Sequence, residues 1–211
     1  MDQSKTWNLA NKLTLSRIIL SPVFFIIYLL PRFFPRTFEN AALWIIIILW
    51  MIFIISEITD YFDGLAARKL GQTSDFGKLF DPFADTLVQI TCFFCFLIDG
   101  VWGGGMLPAA LFLIVIYREF GILFIRNIML KKGVTLGARI TGKIKTILYI
   151  IAAAATLLAA SLERLNVYEN LLPYFKTAAL IIFTLSVIMA VVSFIDYLII
   201  CQKTGKSDKN D

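Results

Sequence analysis

Six long apolar stretches, separated by short polar or charged breaks, dominate the chain. They run approximately from Leu15 to Leu30, Ala41 to Ile58, Leu79 to Ile98, Met106 to Leu130, Ile144 to Ala160 and Ala178 to Ile200. Each is near the ~20 residues that a helix needs to cross the hydrocarbon core of a bilayer. A lipid-embedded segment must satisfy its own backbone, and a helix does so locally. The pattern therefore predicts an all-α integral membrane protein with six transmembrane helices. Turn residues punctuate the breaks: Pro31 and Pro35, then Gly100 with Gly103 to Gly105, then Asn166 to Pro173. No basic residue follows the Gly103 to Gly105 run, so a turn is expected there and not a phosphate cradle. The first fourteen residues are polar and mildly amphipathic, and read as a surface helix before span one. Their flank (Asn11, Lys12, Thr14, Ser16, Arg17) leads into a long apolar run without a small-residue cleavage site, so span one is not expected to be a cleaved signal peptide. Residues 1–201 are expected to form a single membrane domain, and 202–211 a disordered, solvated tail.

Composition agrees with the pattern. The chain of 211 residues is 59% hydrophobic, with a mean hydropathy of +0.79, against roughly 45–50% apolar for a soluble domain. Its net charge of +5 has a topological source. Lys5, Lys12 and Arg17 precede span one, and Arg68, Lys69 and Lys78 lie between spans two and three. Arg126, Lys131, Lys132, Arg139, Lys143 and Lys145 surround the link from span four to span five. Lys203, Lys206 and Lys209 follow span six, whereas the opposite loops carry only Arg32, Arg36, Arg164 and Lys176. The positive-inside rule then predicts that both termini, and the acidic residues between spans two and three, face the cytoplasm. No basic soluble module exists to bind nucleic acid. Cys92 and Cys95 form a CxxC without a second pair, and the chain has no His. They read as packed apolar residues, not as a zinc or redox site, and the lack of His excludes a phosphohistidine or a His general base.

Against this background one polar constellation stands out: Asp60, Asp63, Gly64, Ala67, Arg68, Gly77, Asp81 and Asp85, in the pattern D-x2-D-G-x2-A-R-x8-G-x3-D-x3-D. A single Asp at the centre of a membrane helix costs roughly 2.5–3.5 kcal/mol, less near the surface. Residues three, four and seven apart share a helix face. Asp60, Asp63, Gly64 and Ala67 thus form one stripe at the end of span two, and Gly77, Asp81 and Asp85 another at the start of span three. Packed side by side, the two ends would bring four carboxylates into one small volume. Gly64, Ala67 and Gly77 leave room for backbone and ligand. Pro82 fits a helix that begins nearby, with Asp75 or Ser74 as its cap. Oxygen ligands without His or Cys favour a hard divalent cation, Mg2+ or Mn2+. Such ions bind phosphate oxygens, and Arg68 adds a fixed positive fork. The chemistry sketched is metal-dependent phosphoryl transfer, in which positioning and charge neutralisation supply most of the rate.

The eight-residue pattern resembles, without a departure, the signature of the CDP-alcohol phosphatidyltransferase family. That resemblance implies six transmembrane helices, a homodimer, and transfer of a phosphatidyl or similar group from a CDP-linked donor to an alcohol with release of CMP. It implies that Asp60, Asp63, Asp81 and Asp85 hold one or two divalent ions bridging the donor pyrophosphate. Asp85 would also be the general base, and Asp60, Gly64, Ala67, Arg68 and Gly77 would line the CDP-donor site. The stretches NKLTLSR, REF…R and GKIKT further resemble the bacterial phosphatidylglycerophosphate synthases, up to about Ile150. This implies CDP-diacylglycerol as donor, sn-glycerol 3-phosphate as acceptor, phosphatidylglycerophosphate as product, and a place in the bacterial inner membrane with the site facing the cytoplasm. Thr86 departs from those synthases, which commonly carry Lys directly after the fourth Asp.

The acceptor site is sought among other charges in the apolar spans. Arg118 and Glu119 fall well inside span four, where an ionisable pair is a functional candidate. Arg126 lies eight residues beyond Arg118, and Lys143 and Lys145 open span five. Arg118, Arg126, Lys143 and Lys145 are the expected ligands of an acceptor phosphate. A family member using inositol phosphate, phosphatidylglycerol, serine or a choline-type alcohol is the first alternative. An intramembrane prenyltransferase and a cation transporter are more remote ones.

Overall fold

The computed structural model describes the backbone of residues 9–70, 75–102, 106–131 and 140–207, and the side chains of all these except 9–10, 39, 61–70, 75–79, 106–107, 130–131 and 203–207. Helix α1 (Leu9–Phe33) leads through the one-turn helix α2 (Pro35–Phe38) and a 3-10 turn (Glu39–Ala41) into α3 (Ala42–Leu70). Four more long helices follow: α4 (Asp75–Ile98), α5 (Met106–Lys131), α6 (Ile140–Arg164) and α7 (Leu172–Ser207). No strand occurs among the described residues. The six long helices are each long and apolar enough to cross a membrane, as the hydropathy pattern predicts. An even number of crossings puts the start of α1 and the end of α7 at one end of the bundle. The same end, the acidic end, holds the last turns of α3 and the first turns of α4.

The boundaries differ from expectation in an instructive way. α3 continues through Asp60 to Leu70, and α7 continues past Cys201 to Ser207. A charged residue ends an apolar window but not a helix, and Leu, Ala, Arg and Lys are good helix formers. The first six residues of the presumed disordered tail are thus helical, while 208–211 lie outside the described residues. Residues 9–14, expected in a separate surface helix, are the first turns of α1 itself. Pro82 lies well inside α4, not in its first turn. Having no N–H, it frees the carbonyl of residue 78 from the intrahelical ladder. The Gly103 to Gly105 run and Ser74 fall outside the described residues. Gly100 turns with φ of 69°, and Asn166 and Tyr168 take left-handed conformations at 52° and 55°.

Helix α1 packs between α3 and α4, and its contacts with α4 fix a register. Thr14 donates to Asp81 and Arg17 to Asp85. Ser21 donates to Thr91 at 2.7 Å and Tyr28 to Asp99 at 2.9 Å. The sequence offset stays between 67 and 71 along the whole pairing, as two parallel helices in steady register require. Elsewhere small residues set the spacing. Ala152, Ala159 and Ala160 of α6 and Ala179 and Ala190 of α7 are buried where these two helices pack together. Between membrane helices, such close backbone approach supplies the van der Waals contact that hydrophobicity cannot.

A block of aromatic rings fills the middle of the bundle. Phe93, Phe183, Trp102 and Tyr149 are buried. Trp102 stacks on Phe183 with centroids 4.3 Å apart, and Phe93 meets Phe183 at 4.9 Å and Tyr149 at 5.3 Å, both edge to face. The Trp102 indole N–H donates to Thr156 at 3.3 Å, so the block hides no bare indole donor. Cys92 and Cys95 are buried free thiols beside it.

The approach of α5 to α7 is testable at Gly121, where an added Cβ would sit 3.0 Å from the Phe194 ring. Gly121→Leu should overpack the contact and cost about 1–3 kcal/mol. Gly142→Ala should be tolerated, since its Cβ would meet only Ser193 Oγ at 3.8 Å. Thermal unfolding of the two purified variants in one detergent checks the contrast.

Candidate active site

At the acidic end, α3 delivers Asp60 and α4 delivers Asp85 to a common point, and α1 places Arg17 there. The Arg17 Nη1 donates to Oδ1 of both carboxylates. The guanidinium is 2% exposed, whereas Asp60 and Asp85 remain 42% and 40% exposed. The cation thus lies beneath, and the carboxylates keep a face open. Asp81, one turn before Asp85 on α4, accepts from the buried Thr14 hydroxyl. Asp63, Gly64, Ala67 and Arg68 lie on the last turns of α3 and Gly77 on the first turn of α4. Their side chains fall outside the described residues.

A cavity of about 200 Å³ opens beside Asp60 and Asp85 and runs to a second, basic wall. Arg118, Arg126, Lys143 and Lys145 all line it. The inner two, Arg118 and Lys145, are buried and tied to one anion: Glu119 Oε1 accepts from Arg118 Nη1 at 2.8 Å and from Lys145 Nζ at 2.9 Å. Arg118 also donates to Ser193 Oγ at 3.1 Å and to the Ala190 carbonyl at 3.3 Å. Lys145 lies 4.4 Å from the Tyr149 ring centroid and 3.4 Å from Gln89 Oε1. The outer two are less constrained. Arg126 donates to the Tyr197 hydroxyl at 3.1 Å, and Lys143 is exposed. Two cations sharing one carboxylate leave a net positive floor, with each side chain held in place by an ion pair in low dielectric. The cavity therefore has an anionic wall and a cationic wall within reach of one small molecule.

Comparison with known proteins decides what this arrangement belongs to. The family model described as CDP-alcohol phosphatidyltransferase matches residues 7–192. The chain belongs to the CDP-alcohol phosphatidyltransferase family. Among similar proteins is a CDP-diacylglycerol–glycerol-3-phosphate 3-phosphatidyltransferase of Treponema pallidum, 33% identical over 90% of this chain and 87% of the relative. A protein of the same name from Bacillus subtilis is 37% identical over 72% of this chain and 77% of its own length. A probable phosphatidylglycerophosphate synthase of Mycobacterium tuberculosis is 32% identical over 90% of this chain and 79% of its own.

Enzymes of the CDP-alcohol phosphatidyltransferase family generally depend on a divalent metal, and the donor set fits one. Asp60 and Asp85 come from different helices yet stand close enough to share a single cationic group, here the guanidinium of Arg17. Among the described residues no three acidic side chains close round one point, and Asp81 accepts a hydrogen bond from Thr14. Carboxylate oxygens without nitrogen or sulfur donors suit a hard ion.

Sequence reasoning missed the contribution of α1. Arg17 counts as a topological charge when read alone, but in the fold it is a buried partner of two motif carboxylates. Asn11, Thr14, Arg17 and Ser21 are all buried, at spacings of three, three and four. A polar stripe of helical period inside an apolar span was the available signal. Glu57, one turn before Asp60, and Gln89, one turn beyond Asp85, also line the cavity unanticipated. Arg17→Ala would leave Asp60 and Asp85 facing each other without their shared cation. Misplacement of the carboxylates should lower transfer activity about 100-fold. Arg17→Lys, which keeps the charge but loses the fork, should recover part of it. Steady-state assay of both variants, with melting temperatures as control, tests this, and an unimpaired Arg17→Ala enzyme would remove Arg17 from the site.

Proposed function

We propose that the chain transfers a phosphatidyl group from CDP-diacylglycerol to sn-glycerol 3-phosphate, giving phosphatidylglycerophosphate and CMP. The observation that carries this reading is the two-signed cavity, in which the motif carboxylates Asp60 and Asp85 face the basic set Arg118, Arg126, Lys143 and Lys145. An acceptor bearing both a hydroxyl and a phosphate matches such a cavity, since the phosphate seats on the basic wall and the hydroxyl is presented to the acidic one. The names of the relatives at 32–37% identity support the same acceptor. Family membership sets aside the prenyltransferase and transporter alternatives.

Asp85 takes the proton of the primary hydroxyl of the acceptor. The hydroxyl oxygen attacks the lipid-side phosphorus of the donor, a new P–O bond forms, and the bond to the CMP oxygen breaks. Arg17 holds the Asp85 and Asp60 carboxylates in place, acting through them as a positioning residue. Asp60, Asp63, Asp81 and Asp85 would hold one or two Mg2+ or Mn2+ ions, which when bound supply charge neutralisation on the donor diphosphate. Gly64, Ala67, Arg68 and Gly77 would form the CDP side of the site. Glu119 fixes Arg118 and Lys145, so the acceptor phosphate meets preorganised donors instead of ones it must gather. The charge bias of the loops supports an acidic end facing the cytoplasm of the bacterial inner membrane, where glycerol 3-phosphate would be available. The enzyme works as a homodimer in this reading.

Two measurements test the assignment. Asp85→Asn should abolish transfer, leaving CDP-lipid binding and the melting temperature largely intact, and near-normal turnover in this variant would refute the base. Purified enzyme given radiolabelled CDP-diacylglycerol and a panel of acceptors should form product with glycerol 3-phosphate and not with serine, inositol phosphate or choline-type alcohols. Preference for an acceptor without a phosphate would leave the basic wall without a role and overturn the reading.

A further inference from the structure

At the end of the bundle opposite the acidic motif, three separate elements bring arginines to one groove. Arg32 ends α1, Arg36 lies in α2 and Arg164 ends α6, and together they line an open groove of about 830 Å³. Asp99 is the one carboxylate among its described lining residues, so the groove has two positive charges in excess. That carboxylate is itself engaged, accepting from the Tyr28 hydroxyl at 2.9 Å and from Arg164 Nη2 at 3.3 Å. Arg164 Nη2 also donates to the Tyr28 carbonyl at 3.0 Å, and Arg32 to the Ile98 carbonyl at 2.7 Å. Arg164 Nη1 has no hydrogen-bond partner among the described residues. Arg32 and Arg36 are exposed.

The depth of the groove in the membrane can be read from its surroundings. Exposed aromatic side chains crowd this end: Phe33, Phe34 and Trp44 beside the groove in sequence, Tyr168 in the link from α6 to α7 and Tyr174 in the first turn of α7. Of these, Trp and Tyr rings gather where hydrocarbon meets headgroups. The groove therefore lies at the level of lipid phosphates. Its other wall is apolar, built from Pro31, Phe38 and Ile45. A guanidinium cluster next to an apolar wall is complementary to an amphiphile with an anionic head, and a free anion would use only half of it. Planar guanidinium forks match phosphate oxygens.

We propose that this groove binds the phosphodiester headgroup of an anionic phospholipid in the leaflet opposite the acidic site. The charge excess selects a net-negative headgroup over a zwitterionic one. The lipid bridges the ends of α1, α2 and α6, and so ties together helices that at their other ends carry Arg17 and Lys145. This site is independent of the proposed reaction.

The test uses the full-length purified protein in a neutral detergent. Binding of dioleoylphosphatidylglycerol and dioleoylphosphatidylcholine is followed by native mass spectrometry and by the shift in melting temperature. Inorganic phosphate forms a separate arm. The Arg32→Gln/Arg36→Gln variant should retain turnover, since both residues lie far from the cavity, which also shows that it folds. Its affinity for the anionic lipid should fall about tenfold or more, and the anionic-specific rise in melting temperature should disappear. Should the double variant not fold, Arg36→Gln alone is read in the same way. Unchanged binding of the anionic lipid in the variant overturns the site. Equal stabilisation by inorganic phosphate, lost in the same variant, overturns the lipid assignment.

Discussion

Two ionised carboxylates on different helices repel each other at the corner of an apolar bundle unless a positive charge stands between them. Asp60 and Asp85 meet that condition through Arg17, and much of the acidic end follows from it. Arg17 must come from a helix that touches both α3 and α4, so α1 lies between them. Its neighbours Thr14 and Ser21 then fall opposite Asp81 and Thr91, which locks the parallel register of α1 against α4. Removing Arg17 would leave the two carboxylates to repel each other, and removing both carboxylates would strand the buried guanidinium, an unpaired charge that costs more than the pairing contributes.

The same logic, with signs reversed, organises the basic wall. Arg118 and Lys145 would repel each other at the depth they occupy, and Glu119 between them makes their burial tolerable. Asp85 lies across the cavity, yet Lys145 is held by a nearer anion and by the Tyr149 ring. Each wall is thus held together by a partner of its own, keeps a net charge of its own sign, and does not collapse onto the other. The gap between them is the space a substrate with a hydroxyl at one end and a phosphate at the other requires.

Much of this was legible in the chain, and the reasons are uneven. The six crossings were readable because hydropathy over twenty residues integrates many weak signals. Their ends were not, since α3 runs on to Leu70 and α7 to Ser207 through residues that suit a helix and water alike. The Asp spacing marked one face of each helix, and Arg118, Arg126, Lys143 and Lys145 stood out as charges in or beside apolar runs. Arg17 was hidden for the opposite reason. It sits near a terminus rich in polar residues, where a topological explanation sufficed. Only the packing of α1 against α3 and α4, a long-range contact that no local pattern encodes, reveals it as buried. Gln89 and Glu57 escaped likewise, because their roles depend on which neighbour faces them.

The aromatic block has a consequence for the cell. Tyr149 lies one helical turn beyond Lys145 on α6, and Phe93 one turn beyond Gln89 on α4, so packed aromatic rings begin where the charged cavity ends. A polar, ionisable cavity that reaches into a bilayer invites proton leakage, since any membrane potential drops across whatever insulation remains. Here that insulation is Phe93, Phe183 and Trp102, rings without a titratable group. The chain can thereby keep polar chemistry inside the lipid without short-circuiting the membrane that it helps to build.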